Sequence, residues 1–432
     1  VRTFIIIWSG QIVSAIGSAM TRFALTIWVW QLTEKATNIA LISFSQQLPL
    51  IFVSLFAGVL VDRYSRKFLI ILGDTSAILC TIIIGLLYAT NNLQVWYLYC
   101  LIAGSACFGH VQYLAYVASL PLIVPKQHYT RASSMIALIS PASAIVSPAL
   151  ASILYPAIGL FGIILIDIAT FTVAATIIFI LSIPQPPQTK TSNNYDETIW
   201  QQLAFGFRYI LSRPSLLAMT IAFSCFWFAH QIADTLFQPM ILARTGGKTE
   251  VLGAVMTAAG VGGVIGGSFL SIWGGFKRKV NGMLLGFIGT GLSKIILGIG
   301  QVPLIWIGAS LFSSINVPLL FSSSNAIWYA KIEPSVQGRV FAADHTIGMI
   351  IGTVASLISG TLADRVFEPA MKPGGLLAFI FSPIFGNSTG SGIALFYVTT
   401  SLFIVLVGVS GYAFPKLRNV EDILPDYDAP LV

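Results

Sequence analysis

The chain has 432 residues, of which 56% are hydrophobic and only 9% charged, with a mean hydropathy of +0.85. A soluble protein of this size carries about 25% charged residues, so the composition excludes a soluble enzyme or binding module and indicates a membrane protein. The formal charge of +7 does not signify nucleic-acid binding, because the basic residues form short clusters between long apolar runs and no soluble domain presents a basic face.

A helix needs about 20 apolar residues to cross the hydrocarbon core. Twelve runs qualify, at 4–30, 38–60, 68–90, 94–120, 134–157, 160–183, 215–241, 251–273, 280–300, 302–330, 340–366 and 392–414. The first is too long for a cleaved signal peptide and continues into "ALTIWVW"; the chain opens at Val1 rather than Met, which leaves its true start open. The longest polar stretch separates runs 6 and 7. The expected organisation is therefore an N-terminal six-helix bundle (1–183), a central loop (184–214), a C-terminal six-helix bundle (215–414) and a tail (415–432), an all-α polytopic membrane protein. In the central loop Ile199, Trp200, Leu203, Phe207 and Ile210 recur at helical spacing, which predicts a short amphipathic helix on the membrane surface.

Lys and Arg concentrate in the loops that share a side with the N-terminus, as at 63–67, 126–131, 208–213, 277–279 and 416–418. The opposite loops hold only Lys35, Arg244, Lys248, Arg365 and Lys372. This asymmetry predicts cytoplasmic termini in a plasma (inner) membrane. Cys80, Cys100, Cys107 and Cys225 lie in apolar runs without CxxC spacing and read as small buried hydrophobes.

The two halves repeat. An offset of 212 residues brings "SRK" at 65–67 onto "KRK" at 277–279, and near segments 4 and 10 Arg131 meets Arg339 at an offset of 208. Parallel repeats of this kind place the working site between the halves near the midplane.

On segment 1, Gln11, Ser14, Ser18 and Arg22 step by 3, 4 and 4 and so share one helical face. A polar stripe on a membrane helix faces protein or water rather than lipid, and an arginine there needs a counter-charge. Adding 212 maps the stripe onto Phe223, Phe226, His230 and Asp234. Two partners for Arg22 are open. Asp234 would make a gate across the halves, about 10 to 12 Å from the outer helix ends, and Asp167 on segment 6 would make a static brace within the first half. His230, one turn from Asp234, is a candidate coupling group because imidazole titrates near neutral pH. His110, Tyr113, Tyr116, Phe223, Phe226, Trp227, Ser313, Ser314 and Asn316 are candidates for the wall of a substrate cavity, with ordinary packing as the alternative for each. Lys294, near the outer end of segment 9, reads as a snorkelling side chain.

Other patterns fail. "TGGKT" at 245–249 lacks the leading glycine of a phosphate loop, and "AAGVGGVIGG" breaks dinucleotide spacing at Ile265. In that run Gly262/Gly266 and Gly263/Gly267 fit close helix packing instead. Asn387-Ser388-Thr389 is a sequon by pattern only. No metalloprotease, nucleophile-elbow or nucleotide-cassette motif is found, so no cofactor, metal or enzymatic activity is expected.

The stretch "GVLVDRYSRK" between segments 2 and 3 resembles the signature of the major facilitator superfamily, through Gly58, Asp62, Arg63, Arg66 and Lys67. "WGGFKRK" between segments 8 and 9 is a degenerate copy, with Gly274 and Gly275 in place of the Asp-Arg pair. "TNIALISFSQQLP", "VPKQHYTRASS", "IDIATF" and "SVQGRVFAA" resemble the branch of macrolide-efflux and enterobactin-exporter-like proteins. In segment 5 "SPASAIVSPALAS" keeps Pro141 and Pro148 but has Ser and Ala where the antiporter signature has glycines. The resemblance implies a cavity lined by segments 1, 4, 7 and 10. It further implies a cytoplasmic latch in which Asp62 accepts from the N-terminus of segment 11 and Asp344 receives Arg63 or Arg66. A pure topology anchor explains the positive charge of this loop but not Asp62.

Together these readings predict a secondary transporter that exports an amphiphilic organic compound by alternating access, coupled to inward proton flow. Its expected partners are a small-molecule substrate, a proton and the bilayer, without nucleic acid, and it is expected to act as a monomer. The alternatives are a facilitator or uptake symporter of the same fold, and, from another class, a non-transporting membrane sensor or scaffold.

Overall fold

The computed structural model describes residues 2–181, 199–424 and 426, with side chains at 55, 58, 59, 62, 63, 121, 130, 199, 200, 202 and 203 outside the description. The side chains of Gly58, Asp62, Arg63, Ile199, Trp200 and Leu203 therefore lie outside it. The described residues are helical without a strand. In chain order the helices are α1 (Arg2–Thr33), α2 (Ala36–Arg63), α3 (Arg66–Ala89), α4 (Val95–Ile123), α5 (Tyr129–Ala137), α6 (Ile139–Ile180), α7 (Ile199–Leu211), α8 (Pro214–Thr245) and α9 (Thr249–Trp273). There follow α10 (Lys279–Ile299), α11 (Pro303–Lys331), α12 (Pro334–Leu362), α13 (Glu368–Met371), α14 (Ala378–Phe385), α15 (Ser391–Ala413), α16 (Pro415–Arg418) and α17 (Val420–Ile423).

Among the described residues, eleven helical stretches are long and apolar enough to cross a bilayer. One of them is twice as long as a crossing requires: α6 runs for 42 residues, about 63 Å at 1.5 Å per residue. It is broken at Gly159, whose φ of +66° suits glycine and disrupts helical continuity. Predicted segments 5 and 6 are its two arms, which gives twelve crossings.

Contacts divide the chain into two compact units, 1–192 with 245–257, and 193–244 with 258–432. The opening of α9 thus packs with the first unit, where the Thr257 hydroxyl donates to the Ile145 carbonyl at 3.4 Å. In the first unit α1 lies along α6 with small residues at the seam. A Cβ on Gly17 would run into Thr170 Oγ1 and come within 3.2 Å of Asp167 Oδ1. Its core holds Phe4, Ile7, Ile70, Val111, Ala115 and Ile178.

The second unit packs α10 between α11 and α15, around Phe226, Phe287, Leu320 and Ile404. Here the glycine pairs of α9 separate. Gly262 and Gly266 lie against the carbonyls of Leu311 and Ile315 on α11, whereas Gly263 has open space and Gly267 meets only Pro318 at 4.0 Å. Gly266→Val is expected to force α9 off α11 and lower the melting temperature, with Gly263→Ala tolerated. Thermal unfolding of the two purified variants checks this, and equal behaviour would refute the close seam.

Helix α7 covers the stretch predicted as a surface helix. It docks by Gly206 against the Arg339 carbonyl and Ala343 of α12, and Ile210 is buried, because glycine alone admits so close a backbone. The expected tail is not free over its first ten residues. Leu417 and Val420 are buried, and the Glu421 carboxylate caps α10 by accepting from the amides of Lys279 (3.0 Å) and Val280 (2.9 Å). Arg278 pairs with Asp422, and Lys331 with Asp426 at 2.6 Å; Lys331 Nζ also donates to the carbonyls of Glu421 and Leu424.

Candidate functional site: charged clusters inside the membrane helices

The polar stripe of α1 meets an acid of its own unit. Asp167 is 1% exposed. Its Oδ1 accepts from Ser18 at 3.2 Å and its Oδ2 from Thr81 of α3 at 3.5 Å. Arg22 is exposed and acts on Asp167 by charge, without reaching the 4.0 Å of a direct ion pair. Three helices thus converge on one carboxylate. Ser14, one turn from Ser18, is buried at the same seam.

This unit holds a second buried acid. Asp74 of α3, also 1% exposed, accepts from the Gln112 amide of α4 and is faced by Gln11 of α1. The signal was available: an acid in the middle of a crossing is by itself a functional pointer. Its partners Gln112 and Gln11 lie on other helices, so only the assembled bundle shows what the carboxylate meets.

In the second unit the predicted cavity residues separate by burial. Phe226 is 1% exposed and stacks on Phe287 at 4.3 Å, so it belongs to the core. Phe223, Trp227 and His230 are half-buried and Asp234 is exposed; their steps of 4, 3 and 4 put them on one face of α8. The His230 ring stacks with Phe226 (5.3 Å) and Trp227 (5.7 Å), and its Nδ1 is buried without a hydrogen-bond partner. Lys294 corrects the snorkelling expectation: it is 5% exposed, held inside the bundle.

Of the remaining candidates, His110 is half-buried, Tyr113 is 56% exposed on α4, and Tyr116 belongs to the core of the first unit. The Asn316 amide donates to Phe312 of its own helix at 2.8 Å, against Gly289 of α10. Asp344 is half-buried on α12. Arg66 donates to the Ala118 carbonyl, and Lys67 caps the end of α6 through the carbonyls of Phe179 (3.0 Å) and Leu181 (2.9 Å). Arg66 and Lys67 of the signature are thus engaged within the first unit. Two apolar hollows of about 210 and 460 Å³ in that unit involve none of the charged clusters.

Charged and polar clusters inside membrane-crossing helices, in a chain arranged as two helical units, define a polytopic membrane transporter rather than an enzyme. Residues 7–348 match the family model described as Major Facilitator Superfamily, and the chain belongs to that superfamily. It is 25% identical over 368 residues to macrolide efflux protein A of Streptococcus pyogenes, covering 84% of this chain and 90% of the relative. With the multidrug efflux pump Tap of Mycolicibacterium fortuitum it shares 19% identity over 411 residues, 94% of each chain. Among solved structures, a bacterial homologue of the human lysosomal transporter Spinster superposes with a TM-score of 0.74 at 13% identity, covering 100% of this chain and 98% of that one. The nucleoside transporter NupG gives 0.69 at 11% identity, with 96% and 100% covered.

Proposed function

We propose that the protein exports an amphiphilic organic compound by alternating access, in exchange for protons. The observation that carries the reading is the Asp167 cluster. A carboxyl group on α6 enclosed by Ser18 and the charge of Arg22 on α1 and by Thr81 on α3 is a group whose protonation would change how those three helices pack. Asp74 with Gln112 is a second such group. Likeness to efflux proteins over most of the chain supports the outward direction. The Gly58, Asp62, Arg63 stretch and Asp344 are the proposed cytoplasmic latch, and Asp234 with His230 the proposed counterpart on the other side.

Purified protein in liposomes with an imposed pH gradient tests the reading against a panel of amphiphiles that includes a macrolide. A gradient is expected to drive accumulation of at least one of them. Asp74→Asn, which keeps a partner for Gln112 but cannot ionise, is expected to reduce that gradient-driven component at least tenfold. Transport of a confirmed substrate that ignores the gradient would favour a facilitator, the reading to which the glycine-poor segment 5 points.

A further inference from the structure

Residues 372–390 join the crossing that ends at Met371 to α15, which begins at Ser391, and lie outside both. A connection bathed in water exposes polar side chains; this one does the opposite. Within 376–385 every exposed side chain is apolar: Leu376, Phe379, Ile380, Pro383 and Ile384. Their steps of 3, 1, 3 and 1 put them on one face of α14 and of the turn that leads into it. Phe379 is 93% exposed and Leu376 87%, whereas Ala378 and Phe385, on the opposite face, are buried. Polar residues frame the patch, with exposed Lys372 before it and exposed Asn387, Ser388 and Thr389 after it.

The helix is held so that this face stays outward. At its start the Leu377 amide donates to the Ala370 carbonyl at 3.0 Å. At its end the Ile384 carbonyl accepts from the Gln301 side chain at 3.0 Å, and the Phe385 carbonyl from Arg244 at 2.9 Å and Ser391 at 3.1 Å. Arg244, in the last turn of α8, also donates to the carbonyls of Gly298 (2.9 Å) and Gly300 (2.7 Å) at the end of α10. The Glu368 carboxylate fixes the start of α15 by accepting from the amides of Gly390 (2.7 Å) and Ile393 (3.2 Å). The segment is thus mounted on the ends of α8, α10 and α15. Its eight helical residues span about 12 Å, too short to cross a bilayer. Gln301 also joins it to the start of α11, where exposed Leu304, Ile305 and Phe312 share one face of a crossing. Exposed apolar side chains of a crossing face hydrocarbon, so the α14 patch adjoins a surface that meets acyl chains.

We propose that α14 is an interfacial helix whose partner is a lipid surface: Leu376, Phe379, Ile380, Pro383 and Ile384 sit among the acyl chains of the leaflet away from the termini, with Lys372 and Asn387 at headgroup level. An apolar face framed by polar residues suits a helix lying flat at that boundary, and leaving such a patch in water would be costly. The inference concerns how the second unit is seated in the membrane and stands apart from the identity of any transported compound.

Two measurements on the full chain in phosphatidylcholine vesicles test it. For the first, a nitroxide is attached to Phe379→Cys or Asn387→Cys in a chain whose Cys80, Cys100, Cys107 and Cys225 are replaced by alanine. Collisions with oxygen, which concentrates in the bilayer, are compared with collisions with a water-soluble nickel chelate. The oxygen-to-chelate ratio is expected to be about tenfold higher at 379 than at 387. Equal ratios would place the face in water and overturn the proposal. Low accessibility of 379 to both reagents would mean that protein covers it, a second copy or another part of this chain, and would overturn it equally. The second measurement needs no substitution: the unaltered protein is irradiated in vesicles of a phosphatidylcholine that carries a diazirine in its acyl chain. The peptide containing Phe379 is expected to gain the lipid's mass, as the peptide containing Phe312 does. Labelling at Phe312 without labelling at Phe379 would overturn the seating of α14 in lipid.

Discussion

Asp167→Ala is expected to abolish transport and to lower the melting temperature more than any other single substitution in the first unit. The carboxylate is buried and is served by Ser18 at 3.2 Å, Thr81 at 3.5 Å and the charge of Arg22. Removing it takes the carboxylate acceptor from Thr81, leaves Ser18 with only the Ser14 carbonyl at 3.0 Å, and deprives the guanidinium of its counter-charge. Leaving a buried hydrogen-bonding group without its partner costs about 1 to 3 kcal/mol, whereas a replacement that keeps an acceptor in place costs less. Arg22→Ala with Asp167→Asn is therefore expected to be milder than Asp167→Ala alone, and Arg22→Asp with Asp167→Arg to restore part of the activity. Substrate flux in liposomes, read beside thermal unfolding, separates loss of function from loss of fold. If charge exchange rescues Arg22 only when the partner is Asp234, the Asp167 cluster is incidental to the arginine and the cross-half gate is the correct reading.

A chain ending at Phe414 is expected to lose stability on the order of 5 kcal/mol in the second unit. Lys331, whose side chain is 4% exposed, would lose Asp426 and the carbonyls of Glu421 and Leu424 together, which leaves a buried ammonium unpaired. Leu417 and Val420 would leave unfilled space, each worth about 1.5 to 3 kcal/mol of burial. Glu421→Ala in the full chain removes only the cap on α10 and should cost about 1 kcal/mol. Lys331→Met in the shortened chain should return part of the loss, since the stranded charge is then gone. Thermal unfolding followed by tryptophan fluorescence ranks the four proteins. A shortened chain that melts within about 2 °C of the full one would show that residues 415–426 merely rest on the unit.

The acidic residues of this strap answer a gap in the repeat. In "WGGFKRK" Lys277 stands where Ser65 caps α3 in the first half, and the α10 N-terminus is capped instead by Glu421, which arrives from more than a hundred residues away. In the first half Lys67 holds the end of α6. In the second, Arg278 reaches the chain just beyond α15, at Asp422.

The sequence by itself determined the membrane class, the twelve crossings and the superfamily. These follow from properties that are local along the chain: run length against the thickness of the hydrocarbon, polar interruptions, and a short signature at a fixed place. It also exposed the stripe from Gln11 to Arg22, because helical period is local too. Only the tertiary structure decided which charges meet. Asp167 and Thr81 stand 86 residues apart and Asp167 and Ser18 149 apart. Whether Lys294 snorkels or turns inward depends on the rotation of α10 between α11 and α15, set by contacts such as Gly286 on Leu320 and Gly291 on the Ser401 carbonyl. In a bilayer lipid and protein interior are equally apolar, so hydropathy does not say which face of a helix meets a neighbour. That is settled by small residues fitting against backbone, and such fits exist only once the helices are assembled.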